Sequence, residues 1–259
     1  MSSIGFEKCV SEHGVYVQCY KKNEKADMVI VCLYVDDLLI TGSSVQKIVD
    51  FKLQMLQEFE ISDLGQLSYF LGIEFTKTDE GILMHQSRYA LDMLTKFNML
   101  HCNPANTPTE MGVKLEKDLE EEVVDPTKYR RMVGSLRYLC NTRPDISYSV
   151  GLVSRFMQNP RISHLNAIKR ILRYLKGTTK YGILLPKSGS GGDVRVTAYS
   201  YSDWCGDKGD RKSIAGYVFF LDGAPISWSS TKEPVVALSS CEAEYIAACE
   251  ATCEVAWLD

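Results

Sequence analysis

Short apolar runs rich in Val, Ile, Leu and Tyr open the chain, and amphipathic stretches at helical spacing follow them. Residues 14–21 and 27–35 read as strands joined by a polar Lys-Asn-Glu-Lys turn. Residues 44–59 read as a helix, with Val45, Ile48 or Val49, Leu53 and Leu56 on its apolar side and Ser43 or Ser44 as its cap. Residues 69–77 and 82–86 form a predicted hairpin around Thr78-Asp79-Glu80-Gly81. A further helix is predicted over 87–98, carrying Ala90, Leu91, Leu94 and Phe97 inward.

The stretch 102–125 holds Pro104, Pro108 and Gly112 and then a run of acids, the pattern of an exposed connector. Helices are predicted at 127–141, 146–158 and 163–176, separated by Pro144 and Pro160 and stopped by Gly177. In the last of them Leu165, Ile168, Leu172 and Leu175 make an apolar seam, with Lys169, Arg173 and Lys176 along one flank. Ser188-Gly-Ser-Gly-Gly192 reads as a flexible linker and a domain boundary. Strands at 194–201, 216–221 and 224–230 follow, then a helix over 241–258. The expected class is α+β in two compact units. Successive segments are 1–100, an acidic connector at 101–126, a basic helical segment at 127–187, the linker at 188–193 and a final domain at 194–259.

With 45% hydrophobic residues in 259, the chain can bury a sizeable core. Its longest apolar run, 28–35, falls well short of the ~20 residues a membrane span needs, so no membrane partner is expected. The N-terminus lacks a basic stretch followed by an apolar one, and the nine cysteines fit neither a disulfide framework nor a zinc site. The expectation is an intracellular protein, cytoplasmic or nuclear and not secreted, with reduced thiols. The net charge of −4 hides an asymmetry: residues 127–187 carry thirteen Lys and Arg against the single acid Asp145, a local +12. Residues 110–125 carry seven acids against two lysines. A solvated helix face ordinarily mixes signs, so the basic segment calls for a polyanionic partner, nucleic acid or an acidic protein surface.

The adjacent carboxylates Asp36 and Asp37 are the only charged residues between Met28 and Lys47. A hairpin bend there would hold both out of an apolar sheet, an arrangement suited to a hard cation such as Mg²⁺. An arbitrary Asp-Asp is more often a plain hydrophilic turn; the surrounding string Leu33-Tyr34-Val35-Asp36-Asp37-Leu38-Leu39-Ile40-Thr41-Gly42 favours the functional reading. That string resembles the palm hairpin of reverse transcriptases, most closely those of copia-type retrotransposon Pol polyproteins. Tyr69-Phe70-Leu71-Gly72-Ile73-Glu74-Phe75, the stretch Tyr129 to Leu139 with Thr142-Arg143-Pro144-Asp145-Ile146, and Ala167 to Thr178 extend the resemblance. Arg211-Lys212-Ser213, Trp228-Ser229-Ser230 and Ala237 to Tyr245 are similar to the family's ribonuclease H domain.

The resemblance implies a partial reverse-transcriptase palm with helical thumb and connection, then an incomplete ribonuclease H-like α/β domain. It makes Asp36, Asp37 and Glu244 the catalytic and metal-binding positions, with Asp203 a further candidate ligand and Mg²⁺ the cofactor. Where the family pattern has its first ribonuclease H carboxylate, this chain has Tyr201, a phenol with a pKa near 10 and a poor Mg²⁺ ligand. Asp27, the one earlier acid in a strand position, begins the strand that ends near Asp36, roughly 30 Å away at strand rise, and cannot join it. Other carboxylates that the two-metal mechanism needs are expected outside this chain. Arg130, Arg131, Arg137, Lys169, Arg173 and Lys176 are the candidate contacts to an RNA or DNA template–primer or hybrid.

Three readings compete. The first is a segment of a Pol polyprotein, inactive alone and completed by other parts of the same polyprotein. The second is a non-catalytic nucleic-acid-binding relic. The third, a secreted effector, rests on Arg170-Ile171-Leu172-Arg173, an Arg-x-Leu-Arg tetrad that falls inside an amphipathic helix and is read as coincidence.

Overall fold

A computed structural model describes residues 1, 4–22, 25–110, 112, 115–116, 120–187, 195–207 and 209–258. The linker expected at 188–193 lies outside the described residues. Contacts divide the chain into a unit of residues 1–70 and a unit of residues 71–259. Among the described residues the architecture is mixed α and β, with three antiparallel sheets and six α-helices.

In the first unit, β1 (Glu7–Lys8), β2 (Val15–Lys22), β3 (Lys25–Tyr34) and β4 (Asp37–Gly42) form one sheet in chain order. Helix α1 (Val45–Glu58) covers it, and a two-residue strand, β5 (Tyr69–Phe70), ends the unit. Period-two alternation sends Val29 and Val31 to the covered face, where they meet Phe6, Phe51 and Met55. The rings of Phe6 and Phe51 lie 5.0 Å apart. The sequence placed Val45, Ile48 or Val49, Leu53 and Leu56 against the core, and the structure corrects this: Val45, Val49, Leu53 and Leu56 are exposed, Leu53 at 55%, while Ile48 is half-buried. Helix α1 carries two apolar stripes about 120–135° apart. The aromatic contact with Phe6 selects the one bearing Phe51 and Met55.

The second unit begins with β6 (Ile73–Lys77) and β7 (Gly81–His85), then α2 (Ser87–Lys96). Helix α3 (Pro126–Leu139) starts where the Asp125 carboxylate accepts from Thr127 N–H at 2.8 Å and Pro126 takes the first helical position. A 3₁₀ turn (Pro144–Ile146), α4 (Ser147–Ser154) and α5 (Ile162–Gly177) follow. The helix expected over 146–158 is shorter, because the turn set by Pro144 takes its first residue and α4 ends at Ser154. Val133, Leu136, Ile146, Ile168, Leu172 and Leu175 form one closed core with Leu94 of α2. Leu91, expected inward, is exposed, and Met93 takes its place.

The 127–187 segment is not helical to its end. Residues Gly182–Pro186 form β8, antiparallel to β7. The approach is close: a Cβ on Gly81 would collide with the Leu185 carbonyl oxygen, and one on Gly182 with that of Met84. Beyond it β9 (Val196–Ser202), β10 (Ile214–Leu221) and β11 (Ala224–Lys232) form an antiparallel sheet in the order β11-β10-β9. Helix α6 (Ser240–Leu258) packs Ala243, Ala247 and Ala251 onto the face that carries Ala215 and Phe219.

The acidic connector is also corrected. It is irregular, as expected, but its described residues run along α5 instead of standing free. Arg170 pairs with Glu110 at 3.2 Å, Arg173 donates to the Asn103 carbonyl at 2.8 Å, and Arg161 donates to the Glu121 carbonyl at 3.0 Å. His164 is fully buried: Nδ1 accepts from Arg161 N–H, Nε2 donates to the Glu116 carbonyl, and the ring stacks on Phe156 at 3.8 Å. Arg170 and Glu110, opposite charges 60 positions apart in sequence, are thus brought together by the fold.

Arg143 closes the helical core. It is 2% exposed, and its guanidinium grips Asp145 through two bonds of 2.8 and 2.7 Å. It also donates to the Thr178 carbonyl and hydroxyl at 2.8 Å each. Tyr174 O–H donates to the same Asp145 carboxylate at 2.8 Å. Burial alone would raise the Asp145 pKa, but Arg143 and Tyr174 hold it below the usual carboxylate range. Arg143→Met leaves Asp145 and the Thr178 carbonyl without these donors. It is expected to lower unfolding stability by about 3 kcal/mol in urea titrations, the cost of breaking a buried pair. A loss below about 0.5 kcal/mol would mean the contact is dispensable.

His164 gives a pH prediction. Burial pushes its pKa down, with the Glu116 carbonyl opposing. The stability carried by the neutral ring is therefore fully present above the unfolded value of about 6.5 and is lost as pH falls through the depressed folded value. The melting temperature should drop between pH 7.5 and 5.5, and His164→Gln should flatten that drop; an equal drop in both proteins would refute it.

Candidate functional site

The first candidate site is the tip of the β3–β4 hairpin. Tyr34 pairs with Asp37, so Val35 and Asp36 are the two loop residues and Asp37 opens β4. Both carboxylates are exposed. Val35 sits at φ +53°, a left-handed conformation that costs a β-branched residue about 1–2 kcal/mol. The turn that lifts the carboxylates is thus a strained one. Asp27 lies far down β3, where it accepts from the Ser43 hydroxyl at 3.3 Å. Among the described residues no three Asp, Glu, His or Cys side chains gather closely enough to hold a metal. Two exposed carboxylates are part of a donor set for Mg²⁺, and the described residues do not by themselves fit the ion pair of a two-metal centre.

The second candidate lies on the β9–β11 sheet. Tyr201 pairs with Gly216 and points to the face turned away from α6. Asp203 follows it, and its carboxylate accepts from the backbone N–H of Ile214, bonding the end of β9 to β10. Burial pushes the Asp203 carboxyl up; Ile214 and Arg155 oppose the shift and Glu233 adds to it. Glu244 is exposed in the second turn of α6 and has no hydrogen bond or ion pair to Tyr201 or Asp203 among the described residues. Asp207 is largely buried and clamps Lys232 at 2.6 Å and Arg155 at 3.3 Å. Glu233 lies within the sheet end, 1% exposed, taking the Ser202 hydroxyl at 2.8 Å on one oxygen.

The third candidate is the basic surface. Arg130 donates to the Met157 carbonyl at 3.2 Å, Arg137 to the Ser154 hydroxyl at 3.2 Å, and Arg173 to the Asn103 carbonyl. These are partly spent on the fold. The side chains of Arg131, Lys169 and Lys176 have no hydrogen bond or ion pair among the described residues. Arg131 shares a cleft of about 270 Å³ with Lys128 and Lys96. Sequence reasoning missed Lys96 because it sits in α2, outside the basic run, and only the packing of α2 on α3 brings it there. The Arg170–Arg173 tetrad is part of α5: Ile171 and Leu172 are buried, and both arginines bond to the connector.

Residues 1–111 match the reverse transcriptase (RNA-dependent DNA polymerase) family. The chain is 43% identical over 256 residues to a retrovirus-related Pol polyprotein from transposon RE1 of Arabidopsis thaliana, covering 99% of this chain and 17% of that protein. It is 33% identical to a putative transposon Ty5-1 protein of Saccharomyces cerevisiae, over 98% of this chain and 82% of the yeast protein. It is 44% identical to a secreted RxLR effector protein of Plasmopara viticola, over 50% of this chain and 90% of that protein. The chain therefore spans about a sixth of the length of the first Pol polyprotein it matches. No solved structure matches it.

The strained tip gives a direct prediction. Val35→Gly relieves the left-handed strain at some entropic cost, for a net gain of about 0.5–1 kcal/mol. Amide exchange of β3 and β4 should slow by that amount. Faster exchange would show that the loop does not hold Val35 at positive φ.

Proposed function

Because the chain belongs to the copia-type retrotransposon Pol family, we propose that it is the part of such a polyprotein that carries the reverse-transcriptase palm hairpin, thumb and connection helices and the start of a ribonuclease H domain. The observation that carries this reading is the β3–β4 hairpin: its tip presents Asp36 and Asp37 from an apolar sheet, within the stretch that matches the reverse transcriptase family. In this reading β1–β4 with α1 form part of the palm, α3 to α5 the thumb and connection, and β9–β11 with α6 the opening of the ribonuclease H fold. Asp36 and Asp37 are this segment's share of the polymerase metal ligands, and Glu244 its share of the ribonuclease H ligands. Tyr201 stands where a ribonuclease H carboxylate belongs, so the chain alone does not cleave, and Asp36 and Asp37 by themselves do not hold the two metal ions that polymerisation needs.

The role left to the isolated chain is binding template–primer or hybrid. Lys96, Lys128 and Arg131 converge on one cleft, and Lys169 and Lys176 are free to meet phosphates. The contacts are to the backbone and carry no sequence preference. The effector reading has the Plasmopara relative in its favour, but a tetrad packed into α5 supports a structural role for those four residues.

Fluorescence anisotropy with an RNA–DNA hybrid tests the binding. Affinity should fall steeply between about 50 and 200 mM salt, and Arg131→Ala should reduce the salt slope by about 1. No cleavage of the RNA strand should appear with Mg²⁺ or Mn²⁺, and Tyr201→Asp alone should not restore it. Binding insensitive to salt, or hybrid-specific cleavage that Glu244→Gln abolishes, would overturn the reading.

A further inference from the structure

The second unit contains a cavity of about 710 Å³ that the reading above does not use. Its size falls inside the roughly 300–1,000 Å³ range of small-molecule sites. The floor is the face of β9–β11 turned away from α6, and the register explains its shape. Tyr199, Val218 and Trp228 stand in one cross-strand row; Tyr201, Gly216 and Ser230 stand in the next. The missing side chain of Gly216 leaves the middle of that second row bare, so Tyr201 and Ser230 flank an open floor. Phe220 braces Tyr199 edge-on, at 6.1 Å between centroids. The roof comes from α4 and the turn before it. A Cβ on Gly151 would lie 3.2 Å from the Ser230 carbonyl oxygen, so α4 sits close down on β11 there. Tyr148, one turn earlier in α4, lines the same cavity as Tyr201.

Charge narrows the ligand. The wall includes Asp145 and Asp203 and no Lys or Arg. Asp145 is committed to Arg143, whereas the half-buried Asp203 carboxylate accepts from the Ile214 N–H and makes no ion pair among the described residues. Phosphates and carboxylates would meet two acids on a wall whose described lining holds no Lys or Arg, with Arg155 acting on Asp203 from outside that lining. Aromatic faces beside a carboxylate favour the opposite charge, because the ring quadrupole and the anion both attract a cation.

We infer that this cavity binds a small planar organic cation, a positively charged heteroaromatic, with its rings against Tyr201 and Trp228 and its charge near Asp203. Tyr201 then has a binding role at a position where the nucleic-acid reading sees only a lost carboxylate. The site lies wholly in the second unit and stands independently of hybrid binding.

The test titrates the full chain with proflavine, a planar cation, and with the anionic dye anilinonaphthalene sulfonate. Proflavine should bind saturably at one site and at least about tenfold more tightly than the anion, the factor expected of a partly desolvated cation–π contact. Tyr201→Ala should weaken proflavine about fivefold or more. Tyr201 is 64% exposed, so its truncation does not threaten the fold, and circular dichroism checks Trp228→Leu, which should weaken binding similarly. Leu64→Ala, in the other unit, should change nothing. Equal binding of both dyes, no saturation, or indifference to Tyr201→Ala would overturn the inference.

Discussion

The buried guanidinium of Arg143 is the constraint on which the second unit depends. A charge sealed in a helical core is stable only when its donors are used, and here four bonds reach Asp145 and Thr178. Those two partners stand at the turn before α4 and at the end of α5. Satisfying one side chain therefore fixes where α3 ends, how α4 starts and where α5 stops. Tyr174 and Tyr181 lie over the same guanidinium at 5.7 and 5.4 Å, covering the faces its hydrogen bonds leave free.

A second constraint is electrostatic. The basic run at 127–187 would repel itself if its charges were all solvated on neighbouring helices. Laying the acidic connector along α5 neutralises Arg170 and occupies Arg161 and Arg173. The positive surface that remains is smaller than the +12 of the sequence and differently placed. Part of it is the cleft where Lys96, Lys128 and Arg131 meet, which Asp125 also lines. Removing neutralised arginines from the binding surface leaves fewer phosphate contacts, and hence a shallower salt dependence than the raw charge count implies.

The two carboxylate positions differ in what holds them. Asp36 and Asp37 stand at a strained tip, exposed, with the apolar sheet behind them. Such a placement keeps both oxygen pairs free for a ligand. Asp203, Asp207 and Glu233 are instead drawn into hydrogen bonds and ion pairs that tie β9, β10 and β11 together. Acids used in this way stabilise the sheet and are poor candidates for a metal. The face turned away from α6 gathers aromatic side chains about a cavity whose wall includes Asp203.

The sequence alone determined the elements with strong local signals. The 28–41 hairpin with its carboxylate tip, the helix beginning near Thr127 and the Ala90, Leu94, Ile168, Leu172 and Leu175 core positions follow from alternation and helical period. Its motifs were also enough to identify the family. Tertiary structure decided what local pattern leaves degenerate. Helix α1 had two apolar stripes, and only contact with Phe6 chose between them. Residues 182–186 became a strand because β7 offered an open edge and Gly81 and Gly182 allowed close approach, a partner about 100 residues away that no local window contains. The connector's pairing with α5, the arrival of Lys96 beside Arg131 and the turning of Tyr201 toward a cavity have the same origin. Each is a meeting of residues distant in sequence, fixed by packing and charge in the folded chain.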